Sequence, residues 1–412
     1  MLVSLAWSSL ASRRKSVILT FLSLLISISV LLSVEHIRQQ AKESFNRTIS
    51  DVDMIVGAPS GQLNLLLYSV FRMGSPTSNI NYKSYETLKS SSLVKWAIPI
   101  SLGDSHRGFR VMGTNNSYFE HFKYGTKQPL TFSSGQPFNT LFEAVIGADV
   151  AKKLNYKIGQ SVVIAHGIGS TSFTHHDNTP FIIKGILSPT GTPVDKTIHV
   201  SLNAIEAIHL SPAKQAKLLN NVDSVNTTPE SITAVMLGLK SKFSTFKLQR
   251  DINNYKADRL MAVLPGVAMT ELWQMMATVE NLLRVIGILV LVSSLFGLST
   301  MLLASMAQRK NEIAVLRVLG AGPSVIFSLI LVEALILVLL SSAAATTLLS
   351  LTLWLLGDWL GATYGLFLNA NMLNLETLKV ITVITVAAII TSAIPAYEAY
   401  KNALHSSLSA KS

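Results

Sequence analysis

The chain has no cysteine in 412 residues, and only 14% of it is charged. The first absence removes disulfides, thiolate metal sites and cysteine nucleophiles, and leaves the redox compartment undetermined. The second, beside 49% hydrophobic residues and a mean hydropathy of +0.42, is out of line with an ordinary soluble protein of this length. No Gly-x-x-x-x-Gly-Lys-Ser/Thr run occurs, so no loop here cradles a nucleotide phosphate in the P-loop manner. His176 and Asp177, read as a base pair for a serine, lack a nucleophile-elbow context, and the chain reads as a non-enzyme. The net charge of +11 is not gathered into a basic stripe with interleaved aromatics, so nucleic acid is not an expected partner. Internal repeats and low-complexity tracts are also lacking.

What the chain does have is long apolar runs. Residues 16–34 form an uncharged stretch long enough to cross a hydrocarbon core of about 30 Å at about 1.5 Å per residue. Arg13, Arg14 and Lys15 imitate the n-region of a signal peptide, but no small-residue cleavage site follows, so the stretch reads as an anchor. Three further spans are expected at 278–307, 325–356 and 378–396. The third would be about 48 Å long as a helix and must tilt, protrude or break near Gly357.

Orientation follows from the bases near the spans. Arg13, Arg14, Lys15, Arg309, Lys310, Arg317, Lys401 and Lys411 fall on one side of a four-span arrangement, while the short loop 357–377 carries Asp358 and Glu376 and no base. That puts an amphipathic helix 1–15, the loop 308–324 and the tail 397–412 in the cytoplasm, and residues 35–277 outside, with membrane lipid around the spans.

The outside segment punctuates as a mixed α/β domain. Short β-branched runs at Ala144 to Ile146, Ser161 to Ile164 and Phe181 to Ile183 alternate with Gly, Pro and Asn turns, and 149–154 and 202–219 have helical spacing. Glu35 to Ser50 continues the first span as a polar helix. From Met269 onward nothing interrupts a helix into the second span, so a stalk of residues 270–308, about 58 Å long, is expected, with Glu280 and Arg284 as an i, i+4 ion pair.

Residues 308–323, Gln-Arg-Lys-Asn-Glu-Ile-Ala-Val-Leu-Arg-Val-Leu-Gly-Ala-Gly-Pro, read as a short amphipathic helix stopped by glycines and a proline. This loop resembles that of the MacB/FtsX permease family, whose signature there is a basic pair, Glu-Ile, a Leu-Arg and a Gly-Ala. The start Ala6-Trp7-Ser8-Ser9-Leu10, the segment Val145-Ile146-Gly147-Ala148-Asp149 and the closing Ile394-Pro395-Ala396-Tyr397-Glu398-Ala399 agree with it.

The resemblance implies four transmembrane helices with a MacB-like, two-subdomain α/β periplasmic domain inserted between the first and second. It implies the split permease subunit of a type VII ABC transporter in the bacterial inner membrane, working as a homodimer with two copies of a cytoplasmic ATPase. ATP and magnesium would belong to that ATPase, and no cofactor to this chain. Arg309, Glu312, Ile313, Leu316, Arg317 and Gly320 would dock on it, passing ATP-driven motion through the stalks by mechanotransmission to export or extract a substrate. A periplasmic adaptor or substrate-binding protein would complete the assembly. The competing implication is a non-transporting FtsX-like regulator that activates a periplasmic partner.

Two further sets of residues carry chemistry. Glu333 is an acid inside the third span, about two turns from its cytoplasmic end, where it can reach interfacial water or a basic partner. His166, His175, His176 and Asp177 occupy one loop and are of the types that bind zinc, although their spacing fits no closed zinc motif and a polar surface loop is the preferred reading, since sequence-adjacent histidines seldom chelate one ion together. Asp53 to Ala58 and Pro189 to Asp195 resemble a permease subgroup with such a histidine loop, some encoded in zinc-responsive operons, which makes zinc a candidate.

Overall fold

The computed structural model describes residues 2–167, 179–221, 225–308, 315, 318, 320–364 and 369–408. The chain divides into two compact units, Met1–Ala41 with Ala277–Ser412, and Lys42–Met276.

The first unit is helical. Four helices are long and apolar enough to cross a membrane: Arg14–Thr48, Pro265–Gln308, Pro323–Tyr364 and Leu375–Leu408. Their buried residues recur every three or four positions, as in Leu24, Ile28 and Leu32, or Leu291, Leu295, Leu298 and Leu302. That spacing gives each helix one stripe for its neighbours and leaves the rest of its apolar surface for lipid. Hydroxyls stitch the stripes together: Ser23 and Ser27 both meet Ser294, at 3.1 and 2.5 Å, and Ser299 donates to the carbonyl of Thr391 at 2.9 Å. Such bonds matter in lipid because no water competes for them.

The second unit is a mixed α/β domain lying between the first two spans in sequence. Its main sheet runs in the order Met261–Val263, Met54–Gly57, Ala234–Leu239, Val94–His106, Phe109–Thr114, Thr197–Ser201, Glu143–Ile146, Phe181–Leu187, Phe132–Gly135. Most pairs are antiparallel. The exceptions are Thr197–Ser201 against Phe109–Thr114, and Phe181–Leu187 against Glu143–Ile146.

One strand joins the two halves of this sheet. Val94–His106 pairs with Ala234–Leu239 through its first seven residues and with Phe109–Thr114 through its last six. Ile98, Ile100 and Leu102 alternate onto one face with Met112 and Met236, while Ala97 joins Val235 and Leu237 on the other. Pro99 is tolerated in this central strand because its carbonyl takes the Thr114 hydroxyl at 2.8 Å rather than a ladder N–H. The side on which proline lacks a donor is therefore not a ladder side.

The turn Pro189 to Asp195 is organised by one carboxylate. Asp195, 2% exposed, accepts from the backbone N–H groups of Thr190 and Gly191 and from the Thr190 hydroxyl, all at 2.8–3.0 Å. Burial nonetheless holds its carboxyl above the usual aspartate range, against those hydrogen bonds. Gly147 lies directly under this turn, where a β-carbon would stand 2.3 Å from the carbonyl oxygens of both Val194 and Asp195. That close approach explains the glycine in Val145-Ile146-Gly147-Ala148.

Three local expectations change, and the length of the third span is met without a break. Residues 202–219 are two helices, Leu202–His209 and Pro212–Asn220, because Pro212 has no N–H to continue the first and favours the opening turn of the second. Within 161–164 only Ser161–Val162 is a strand. The third apolar helix passes through Gly357 without a break as far as Tyr364, a single glycine costing only about 1 kcal/mol. Arg284 turns from Glu280 to Glu35 of the first long helix, at 3.3 Å, where Glu35 also takes the guanidinium of Arg38.

Candidate functional site

At the start of the chain, helix Leu2–Ser12 buries Ala6, Ser9 and Leu10, and Arg13 stands at the junction with Arg14–Thr48. Ser9 and Arg13 are four residues apart and so reach the same place. The Ser9 hydroxyl donates to Glu333 Oε1 at 2.5 Å, and Arg13 Nη2 donates to Glu333 Oε2 at 3.0 Å and to Ser9 Oγ at 2.9 Å. Glu333, 1% exposed, thus has a guanidinium and a hydroxyl as partners. A carboxylate beside lipid is tolerable in such a pair because charge and lone pairs are satisfied together. The cluster fastens the N-terminal helix to the third apolar helix.

Between Gln308 and Pro323 lies the expected docking segment. Arg309, Glu312, Ile313, Leu316 and Arg317 lie outside the described residues. Val315 and Val318 are helical and 59% and 88% exposed. Gly320 has φ +96°, the left-handed conformation that ends a helix, and Pro323 opens the next one. Two exposed valines beside a glycine stop suit a surface that a partner covers.

In the ectodomain, His166 ends the two-residue strand Ala165–His166, which pairs with Ser105 and Asp104. His175, His176 and Asp177 lie outside the described residues. Near His166 stand three residues that sequence reading passed over. His106 is fully engaged, with Nδ1 on the carbonyl of Val163 at 2.6 Å and Nε2 on the Tyr156 hydroxyl at 2.9 Å, and burial keeps its pKa below the ordinary value. Asp104 is 4% exposed, and His209, the last residue of its helix, brings Nε2 to 3.8 Å from Asp104 Oδ1. A separation of 105 positions between these two leaves no local sequence signal. Among the described residues no three His, Asp or Glu side chains are assembled as a metal-binding group.

The same domain has a cleft of about 570 Å³ lined by uncharged polar groups, among them Asn115, Asn116, Asn139, Thr140, Ser201 and Asn203. Among the described residues its lining can hydrogen-bond but offers neither a nucleophile with a base nor a charge.

Comparison with known proteins bears on both units. Residues 17–255 match the MacB-like periplasmic core domain, and residues 284–404 match the FtsX-like permease C-terminal domain. Among solved structures, the periplasmic region of MacB from Actinobacillus actinomycetemcomitans aligns at 11% identity and a TM-score of 0.36, covering 55% of this chain and 94% of that one. The extracellular domain of the noncanonic ABC-type transporter YknZ from Gram-positive bacteria aligns at 12% identity and a TM-score of 0.29, covering 52% and 98%. No curated protein matches the chain.

Proposed function

Because the chain belongs to the MacB/FtsX-like family of ABC transporter permeases, we propose that it is a split permease subunit coupling ATP hydrolysis in a separate cytoplasmic ATPase to movement of its periplasmic domain. The observation that carries this reading is the helix Pro265–Gln308. It is unbroken over 44 residues, starting beside the ectodomain strand Met261–Val263 and ending at the docking loop. A continuous helix passes displacement along its axis, whereas a flexible linker dissipates it.

In this reading both termini are cytoplasmic, two permeases form a homodimer with two ATPases, and ATP and magnesium bind only there. Glu312 and Arg317 are the charged anchors of the docking helix, Ile313 and Leu316 supply its apolar contact, and Gly320 lets the chain return into the third span. The Arg13–Glu333 pair keeps the N-terminal helix in register with that span, so that the ATPase meets a firm surface. The substrate is exported or extracted at the periplasmic face, with an adaptor or binding protein receiving it there. Zinc-linked transport is the substrate class that the histidine loop suggests.

Charge reversal at Glu312 and Arg317 together, with co-purification of the ATPase as readout, tests the assignment. The expected result is loss of the ATPase from a permease that still inserts and melts normally. Undiminished co-purification refutes it.

A further inference from the structure

We propose that the uncharged cleft of the ectodomain is a binding site for a short neutral saccharide. The inference rests on this domain alone and holds whether or not the permease is coupled to an ATPase.

Strand direction sets the position of the cleft. Phe109–Thr114 and Thr197–Ser201 are parallel neighbours, with Thr114 opposite Ser201. Both of these residues line the cleft, and so do Asn115, Asn116 and Asn203 just beyond them. The cleft therefore lies at the carboxyl ends of two adjacent parallel strands, where diverging connections leave a crevice for ligands in α/β sheets. Glu143–Ile146 runs antiparallel to Thr197–Ser201, so the lining segment that leads into it, Asn139 to Leu141, arrives at the same end. That segment is held in place, because the Glu143 carboxylate accepts from the backbone N–H groups of Asn139 and Thr140 at 2.7 and 3.1 Å.

The chemistry of the lining selects the ligand. The volume of about 570 Å³ falls in the usual range of small-molecule sites, about 300–1,000 Å³. Most such sites are apolar, whereas among the described residues nine of the fifteen that line this one are Asn, Thr or Ser, and none is Asp, Glu, Lys or Arg. An apolar ligand would strip water from these amides and hydroxyls without replacing it, at about 1–3 kcal/mol for each group left unpaired. An ion would give up its hydration to a lining with no countercharge. A peptide strand would need an open sheet edge, and both parallel strands are already paired on each side.

A neutral polyol meets all three conditions, because each of its hydroxyls both donates and accepts, as each asparagine amide does. Asn115 shows the demand: its Nδ2 donates to the Tyr85 hydroxyl at 3.3 Å, while its Oδ1 is buried with no hydrogen-bond partner in the protein. Half-buried Tyr82 adds an aromatic surface to the lining, which suits the C–H face of a sugar ring.

The test uses the full-length chain in a polyoxyethylene detergent, which has no sugar head group, titrated by calorimetry with maltose, cellobiose and N,N′-diacetylchitobiose. We expect at least one of them to bind saturably, at one molecule per chain, with affinity falling at least tenfold in Asn139→Ala and in Asn203→Ala. Both side chains are exposed, so these variants should melt as the wild type does. Glucuronate and an acetylated, amidated trialanine are the charged and peptide controls, and each should bind at least tenfold more weakly. Absence of binding by all three disaccharides overturns the proposal. Binding that is unchanged in both alanine variants, or tighter binding of either control, overturns it as well.

Discussion

Arg13 and Glu333 lie 320 positions apart in sequence and meet at 3.0 Å, with Ser9 hydrogen-bonded to both. Neither side chain suits its apolar surroundings by itself, and together their charges cancel. Removing one partner leaves a buried charge, which is more costly than never having had the pair. Arg13→Ala should therefore destabilise the protein by about 3–5 kcal/mol, while Arg13→Leu with Glu333→Leu should recover most of that loss. Thermal melting of the detergent-solubilised variants checks the order. A double variant as unstable as the single one would mean that the pair is not the source of the effect.

Gly147 carries a steric prediction. A methyl group there would stand 2.3 Å from two carbonyl oxygens of the Pro189 to Asp195 turn, and backbone atoms cannot swing aside as a side chain can. Gly147→Ala should cost at least about 1–3 kcal/mol of ectodomain stability, read by denaturant melting.

His199 should make the ectodomain acid-sensitive. Burial, reinforced by the Arg72 guanidinium, pushes its pKa down to about 3, and Nδ1 rests 3.3 Å from the carbonyl of Val145. Unfolded, the imidazole takes a proton near its ordinary 6.5; folded, it stays neutral until about 3. Between these values the unfolded state binds more protons, so stability falls by about 1.4 kcal/mol for each pH unit of acidification. Asp195, whose pKa is raised, acts in the opposite sense, so the readout is the difference in slope between wild type and His199→Gln. Parallel slopes would refute the assignment.

Topology can be mapped directly because the chain has no cysteine. Asn226→Cys should react with a membrane-impermeant maleimide in spheroplasts, and Val318→Cys only after permeabilisation. Both residues are exposed or half-exposed, so burial does not confound the result.

The spans were legible because a helix in lipid must advertise itself by length and apolar content, and 16–34 does so without a single charge. The long helix into the second span was legible through the absence of breakers after Gly266, and it does run unbroken from Pro265. Partnerships were not legible. Arg284 looked paired to Glu280 because i, i+4 spacing is all that a sequence displays, whereas Glu35, 249 positions away, is closer in space. Glu333 stood out as an anomaly, but Arg13 was read only as an orientation signal. Asp104 and His209 gave no sign at all, because what brings them together is the packing of the helix Leu202–His209 beside the strand Val94–His106, 105 positions apart in sequence. Pro212 was visible, and its power to divide 202–219 was underweighted against an apolar periodicity that continues across it.

The strand Val94–His106 has a consequence for cooperativity. Since the two halves of the ectodomain sheet pair with consecutive stretches of this one strand, seven residues for one and six for the other, freeing the strand from either half loosens its hold in the other. Amide protons of Ile98, Ile100, Ser101 and Leu102 should exchange only through global unfolding, and the two lobes should show one shared melting transition. A load applied to either lobe would then be borne by both, as in a splice where two ropes share a common core.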